Sequence, residues 1–116
     1  MIAVIFEVQP KAGQGDRYFE IAAELKSELV KIDGFIGVER FESVSEKGKF
    51  LSLSFFRDEA AAANWRTHMN HRKAQAEGRE TVFVHYRIRV AEVIRDYSMT
   101  DRAQAPLSNA QNVMAK

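Results

Sequence analysis

Apolar residues in the first third of the chain follow two different periods. Residues 2–8 form a mostly apolar run rich in β-branched side chains, and Pro10, Gly13 and Gly15 end it. This run predicts a strand buried on both faces and central in its sheet. Asp16 stands at a predicted N-cap, and the apolar positions beyond it recur every three or four residues: Phe19, Ala22, Ala23, Leu25, Leu29 and Ile32. They predict a helix of about four turns that closes at Asp33-Gly34.

The remaining elements follow from alternation and from capping residues. Residues 35–44 and 49–56 predict two strands joined by a hairpin loop at 45–48. Asp58 predicts the cap of a second helix, which starts in the alanine-rich stretch 60–63 and runs towards Gly78. Residues 81–97 predict a fourth strand, and residues 98–116 a tail. The order β-α-β-β-α-β is that of the α+β ferredoxin-like fold with an antiparallel sheet.

Both faces of the predicted sheet carry large apolar side chains. One row on each strand is apolar, and the opposite rows add Ile5, Phe35, Phe41, Phe50, Phe56, Phe83 and Val93. Two helices on one face leave the other face open, which predicts a homodimer whose second subunit covers it. A fourth strand of about seventeen residues exceeds the usual length and fits an extension to a partner. The tail is predicted to be flexible or to pack across the dimer.

Composition narrows the class of protein. Seventeen Lys and Arg balance sixteen Asp and Glu along the chain without a basic stripe, which argues against a nucleic-acid partner. No apolar run is long enough to span a bilayer, and the N-terminus lacks a leader pattern, so we expect no membrane partner and a cytoplasmic protein. The absence of cysteine excludes disulfides, thiolate catalysis and cysteine-ligated metals.

Candidate functional side chains concentrate on the second predicted helix: Asn64, Trp65, His68, His71 and Arg72. At 100° per residue, Trp65 and Arg72 share one stripe with His68 at its edge, and His71 lies roughly 120° from Trp65. In one interpretation Trp65 anchors the helix to the core while Arg72 extends to solvent. In the other, this stripe lines a binding pocket, and its polar residues favour that alternative.

The fourth predicted strand carries a second basic set. By alternation His85, Arg87 and Arg89 share one face. One hypothesis pairs Glu7 or Glu39 with these arginines in an ion-pair lattice across the sheet. The other places some of these basic groups in a pocket between the second helix and the sheet.

Other chemistries find less support in the sequence. His68 and His71 are spaced three residues apart without a companion carboxylate motif, so no metal site is predicted with His85. No nucleophile elbow surrounds a serine, and no glycine motif for phosphates or dinucleotides is present.

Four segments resemble the antibiotic biosynthesis monooxygenase family: residues 33–41, 51–60, 64–72 and 86–93. The most recognisable marks are Asp33-Gly34-Phe35 after the first helix and Trp65 with His71-Arg72 on the second. The resemblance covers residues 1–97 and leaves the tail, 98–116, outside. It implies a dimeric α+β barrel, in which two ferredoxin-like subunits pack sheet to sheet, with a pocket between helices and sheet in each subunit.

The resemblance also implies a chemistry: oxidation of a small phenolic or quinol substrate by O2 without metal, flavin or other prosthetic group. Trp65 and Arg87 match the family's helix-two tryptophan and strand-four arginine, as aromatic wall and anion stabiliser. We expect His68 or His71, to which the resemblance assigns no role, to accept a proton. Further substrate contacts are assigned to Asn64, Arg72 and His85. The alternative is a non-catalytic dimer, stress-related or binding a small aromatic molecule.

A third hypothesis, haem degradation, is disfavoured by two departures from the superfamily's haem-cleaving members. Those enzymes use an Asn on the first strand and a His ten residues beyond the helix-two Trp. Here the first strand has no Asn, and that later position is Gln75.

Overall fold

The computed structural model describes residues 1–70 and 81–107. Its elements are β1 (Ile2–Pro10), α1 (Gly15–Leu29), β2 (Phe35–Glu42), β3 (Phe50–Phe56), α2 (Glu59–Asn70) and β4 (Phe83–Glu92). The order and the antiparallel sheet β2-β3-β1-β4 confirm the predicted α+β ferredoxin-like fold, with β1 inside the sheet. None of the helices within these residues is long and apolar enough to cross a membrane.

The strand register fixes which side chains share a face of the sheet. On the face that the helices cover, Val4 and Phe6 of β1 lie opposite Ser54 and Ser52 of β3 and opposite Val90 and Ile88 of β4. On the other face, Ile5 lies opposite Leu53 and Arg89. Because side chains alternate along a strand, every sheet residue is thereby assigned to one face.

Helix α1 has the predicted length but not the predicted phase or cap. It begins at Gly15 with Gln14 at the N-cap, so Asp16 lies in the first turn and not at the cap. Its buried side chains are Tyr18, Ile21, Ala22 and Leu29, whereas Phe19 is 44% exposed. The amphipathic period was therefore correct, but the buried stripe is centred about one residue earlier than predicted. The helix ends at Leu29, before Asp33-Gly34.

Strand β4 is shorter than predicted, because its partner strand ends. β4 covers ten residues and stops at Glu92, which lies opposite Ile2, the first residue of β1. One more backbone hydrogen bond, from Val93 N–H to the Met1 carbonyl, closes the ladder. The predicted seventeen-residue strand is therefore wrong, and residues 93–97 pair with no strand within the described part of the chain.

Two apolar clusters join the helices to the sheet. The first surrounds Phe56, which is fully buried with Ile2, Leu29 and Ala61, and Trp65 packs against it. The second surrounds Val8 and Tyr18, with Ile21 and Val82. Between these two clusters the helices and the sheet are separated by a cavity.

The start of α2 is fixed by capping, as the sequence predicts. Asp58 accepts a hydrogen bond from the Ala61 backbone N–H at 2.9 Å, which satisfies a helix donor that has no partner within the helix. This bond, with the adjacent Arg57, holds the pKa of Asp58 below its usual range. The predicted continuation of the helix towards Gly78 lies outside the described residues.

Candidate functional site

The cavity between the two helices and the sheet has a volume of about 370 Å³. Its walls are mainly apolar: α1 contributes Ile21 and Leu25, α2 contributes Trp65 and Met69, and the sheet contributes Phe6 among others. This volume is at the lower end of the range for ligand pockets. The cavity therefore has the size and lining for a small, mostly apolar molecule.

The charged residues of the cavity lining all carry the same sign. Lys26, Arg40 and Arg66 contribute to the wall, and no carboxylate of the described residues does. Arg40 is half-buried beside apolar walls, so its charge is screened weakly, whereas Lys26 and Arg66 are exposed and add less to the positive potential. The cavity consequently favours a ligand with negative charge or with strong acceptor oxygens.

Tyr18 and Arg40 form a polar pair on the cavity wall. Arg40 extends from the helix-covered face of β2, and its guanidinium hydrogen-bonds the phenolic oxygen of Tyr18, which is only 3% exposed. Burial raises the pKa of Tyr18, and the neighbouring Arg40 cation opposes part of that rise. Tyr18 is therefore neutral near pH 7. The Nε of Arg40 is buried and has no hydrogen-bond partner among the residues that the structure describes.

Trp65 occupies the position that both interpretations of the second helix anticipated. Its ring packs against the Phe56 cluster and also lines the cavity. His68 stacks on it with ring centroids 5.6 Å apart and planes at 23°. The Nε2 of His68 lies 2.6 Å from Glu28 Oε1, which links α2 to α1. His68 therefore contacts Trp65 but does not itself line the cavity.

The basic residues of β4 do not lie where the pocket hypothesis placed them. Arg87 and His85 stand opposite Glu7 and Gln9 in the register, on the sheet face remote from the helices. Neither lines the cavity, because β4 alternates and presents Tyr86 and Ile88 to it instead. The hypothesis that places these basic groups in a pocket under the second helix is therefore wrong for Arg87 and His85.

The ion-pair alternative for that sheet face is confirmed. Glu7 lies 3.3 Å from Lys49 Nζ and 2.5 Å from Arg89 Nη1. The hydrogen bond with Lys49, and after it the charges of Lys49 and Arg89, hold the pKa of Glu7 below its ordinary value.

The other predicted site residues are placed as follows. Asn64 is exposed on α2 and does not line the cavity. His71, Arg72 and Gln75 lie outside the described residues. Within residues 1–70 and 81–107 no three His, Asp or Glu side chains are grouped as metal ligands.

Sequence reasoning overlooked the polar pair Tyr18–Arg40. A signal for Tyr18 was present, since residues 18, 21, 22, 25 and 29 form a better helical stripe than the one chosen. For Arg40 the signal was its alternation with Val38, which places both side chains on the face that also carries Ser52 and Ser54 of β3.

The fold and the cavity define a class, a ferredoxin-like α+β domain with a small-molecule cavity under its helices. The sequence profile of the antibiotic biosynthesis monooxygenase family matches residues 1–77, and the chain belongs to that family. Solved structures agree on the fold. The Mycobacterium tuberculosis protein Rv0793 superposes with a TM-score of 0.68 at 15% identity, over 84% of this chain and 98% of its own. A Deinococcus radiodurans protein assigned to the same family gives 0.67 at 15%, over 85% and 98%.

Two relatives are similar at the sequence level. "Jasmonate monooxygenase ABM" of Pyricularia oryzae is 48% identical over 93 residues, which are 80% of this chain and 43% of that protein. The chain thus spans less than half of that relative. The uncharacterized protein YqjZ of Bacillus subtilis is 32% identical over 93 residues, 80% of this chain and 79% of its own length.

Proposed function

We propose that this chain is an oxygenase that holds a small, mainly apolar molecule in the cavity and oxidises it with O2 without a prosthetic group. The observation that carries the proposal is the cavity of about 370 Å³, lined mainly by Trp65 and apolar side chains together with three cations. Membership of the monooxygenase family and the 48% identity to a jasmonate monooxygenase support the reaction class.

The chemistry of a phenolic substrate fits a protein that supplies only its own side chains. Oxidation of a phenol to a quinone by one O2 releases one water, and the substrate provides all four electrons. The protein then has to favour the phenolate, orient it and exclude water. Trp65 provides a flat apolar wall for an aromatic ring. The cavity cations, rather than Arg87, supply the positive charge that stabilises an anionic oxygen.

The experiment is O2 uptake by metal-free protein with a panel of phenols, quinols and jasmonic acid. Jasmonic acid is measured with and without an added reductant, because hydroxylation of a saturated carbon consumes two further electrons. We expect uptake above the spontaneous rate for at least one compound, and a much lower rate in Trp65→Ala. No uptake above the spontaneous rate with any compound would contradict the proposal.

A second candidate, a non-catalytic binding protein, is favoured by one observation. Neither His68 nor His85 lines the cavity, and no carboxylate of the described residues does, so a general base is not among them. Such a protein binds the same molecules as the oxygenase. Saturable binding without O2 uptake for any compound identifies it.

We also propose a homodimer that forms through the sheet face remote from the helices. Ile5, Leu51, Leu53 and Phe55 share that face and remain partly exposed. A second copy of the same face would bury them, and a closed twofold dimer is the commonest arrangement among soluble homo-oligomers.

A further inference from the structure

Arg40 has an unsatisfied hydrogen-bonding group in a place where proteins rarely leave one. Its Nε is buried and has no hydrogen-bond partner within residues 1–70 and 81–107, although its guanidinium bonds Tyr18. A buried donor that lacks an acceptor costs free energy, and such a group in a native structure calls for an explanation. The Nε itself is too deeply buried for a ligand to reach, but Arg40 also lines the cavity, so an acceptor there can bind the rest of its guanidinium.

The surroundings of Arg40 specify the charge of that acceptor. Lys26 and Arg66 line the same cavity, and the described lining includes no carboxylate to neutralise the three cations. An anion that enters the cavity is therefore attracted by all three. Tyr18, which is neutral and bonded to the guanidinium, limits the orientations of the Arg40 side chain.

The absence of a general base among the described lining residues narrows the chemical class of the ligand further. With no histidine or carboxylate there to take a proton, a ligand that is already ionised in water fits best. A carboxylic acid has a pKa near 4, whereas a simple phenol has a pKa near 10 and enters as the neutral molecule. A guanidinium also matches the two oxygens of a carboxylate with parallel hydrogen bonds.

We propose that the cavity binds a small carboxylic acid with an apolar body, and that Arg40 binds its carboxylate while Tyr18 positions the guanidinium. The apolar body lies against Ile21, Leu25 and Trp65. This inference rests on the proposed oxygenase site and narrows its substrate. The carboxylate serves as the anchor, and the carbon to be oxidised belongs to the body.

The test compares acids with their neutral esters. The chain has one tryptophan, Trp65, and it lines the cavity, so quenching of its fluorescence reports binding. The probes are jasmonic acid with methyl jasmonate, and decanoic acid with methyl decanoate. Wild-type protein is expected to bind each acid at least about tenfold more tightly than its ester, the range for a charge-assisted hydrogen bond.

Variants assign the selectivity to Arg40. Arg40→Met is expected to weaken binding of the acid about tenfold to a hundredfold and to leave binding of the ester unchanged. Arg40→Lys retains part of the preference for the acid. The matched control is Arg17→Met, which removes the same side chain from the outer surface of α1, where Arg17 pairs with Glu20. It is expected to bind acid and ester as the wild type does.

The result that overturns the inference is equal binding of acid and ester by wild-type protein, or no binding of either. Unchanged acid affinity in a folded Arg40→Met overturns it as well. If Arg40→Met does not fold, by circular dichroism, the acid-to-ester ratio in wild type and Arg40→Lys decides. Failure of the oxygenase proposal is distinguishable, because it appears as acid-selective binding without O2 uptake. Turnover of neutral phenols without any preference for the acids would contradict the carboxylate inference but not the oxygenase proposal.

Discussion

The imidazole of His68 stacks on the indole of Trp65 and reaches Glu28 on the other helix through its Nε2, at 2.6 Å. Trp65 therefore has two contacts that hold it in place, the Phe56 cluster and the ring of His68. The histidine acts on the cavity through the indole. This makes it a positioning residue for the aromatic wall and not a group that touches the ligand.

Removing His68 is expected to loosen the wall without removing it. In His68→Ala we expect lower fluorescence anisotropy of Trp65 and ligand affinity weaker by about two- to tenfold, because an aromatic stack contributes a small free energy. Fluorescence titration measures both. The control is His85→Ala on the opposite sheet face, which is expected to change neither. Unchanged anisotropy and affinity in His68→Ala would show that the stack does not position the indole.

The ionisation of Tyr18 provides a pH test of its pairing with Arg40. Burial raises the Tyr18 pKa above its ordinary value of 10.0, and Arg40 opposes the rise. The folded protein therefore holds this proton more tightly than the unfolded chain does. The stabilisation is complete below the ordinary pKa of tyrosine and is lost as pH rises through the folded-state pKa.

Alkaline titration by ultraviolet absorbance is expected to show a tyrosine step above the ordinary range. Tyr18→Phe removes that step, and Arg40→Met moves it to still higher pH, since the cation that favours the phenolate is gone. If Tyr18→Phe still shows the titration step at high pH, that step does not belong to Tyr18.

Gly34 of the family's Asp33-Gly34-Phe35 mark has a structural role that a stability measurement can isolate. Its φ is +91°, and a Cβ there would lie 2.7 Å from the Ala61 Cβ of α2. Gly34→Ala is expected to lower the free energy of unfolding by about 1–3 kcal/mol. Chemical denaturation measures the change. Gly37→Ala is the matched control, because a Cβ at Gly37 meets no atom within 4 Å. Equal stability of the two variants would contradict this role.

The proposed homodimer predicts a dependence of assembly on the open sheet face. Leu53→Lys places a charge among its apolar residues, so the variant is expected to sediment as a monomer at concentrations where wild type is dimeric. Ser45→Lys in the exposed hairpin adds the same charge away from that face and is expected to stay dimeric. A wild-type protein that sediments as a monomer at every concentration contradicts the proposal.

Features set by neighbouring residues were predictable from sequence, and features set by distant ones were not. The Asp58 cap and the six elements follow from local chemistry and period. The end of β4 depends on where β1 begins, some ninety positions earlier, so the apolar run alone overestimated it. In α1 the predicted stripe included Phe19 and omitted Tyr18, but a tyrosine can be buried when its hydroxyl finds a partner such as Arg40.

At the candidate site, too, the features set by neighbouring residues were predictable and those set by distant residues were not. Alternation grouped His85, Arg87 and Arg89 correctly on one face, but it did not say which face the helices cover. That choice depends on the packing of α1 and α2, which places Arg40 under the helices and Arg87 away from them. Trp65 was found because a tryptophan among polar helix residues is conspicuous, whereas Arg40 is one of many charged residues in an alternating strand.

Oxygen transfer itself tests the central claim, that a molecule held in the cavity is oxidised there. Metal-free protein is incubated with the substrate panel under isotopically labelled O2, and the products are analysed by mass spectrometry. The account predicts a product that carries one labelled oxygen atom, formed faster than the spontaneous reaction and much more slowly in Trp65→Ala. Products formed only at the spontaneous rate, or at an equal rate by Trp65→Ala, would contradict it.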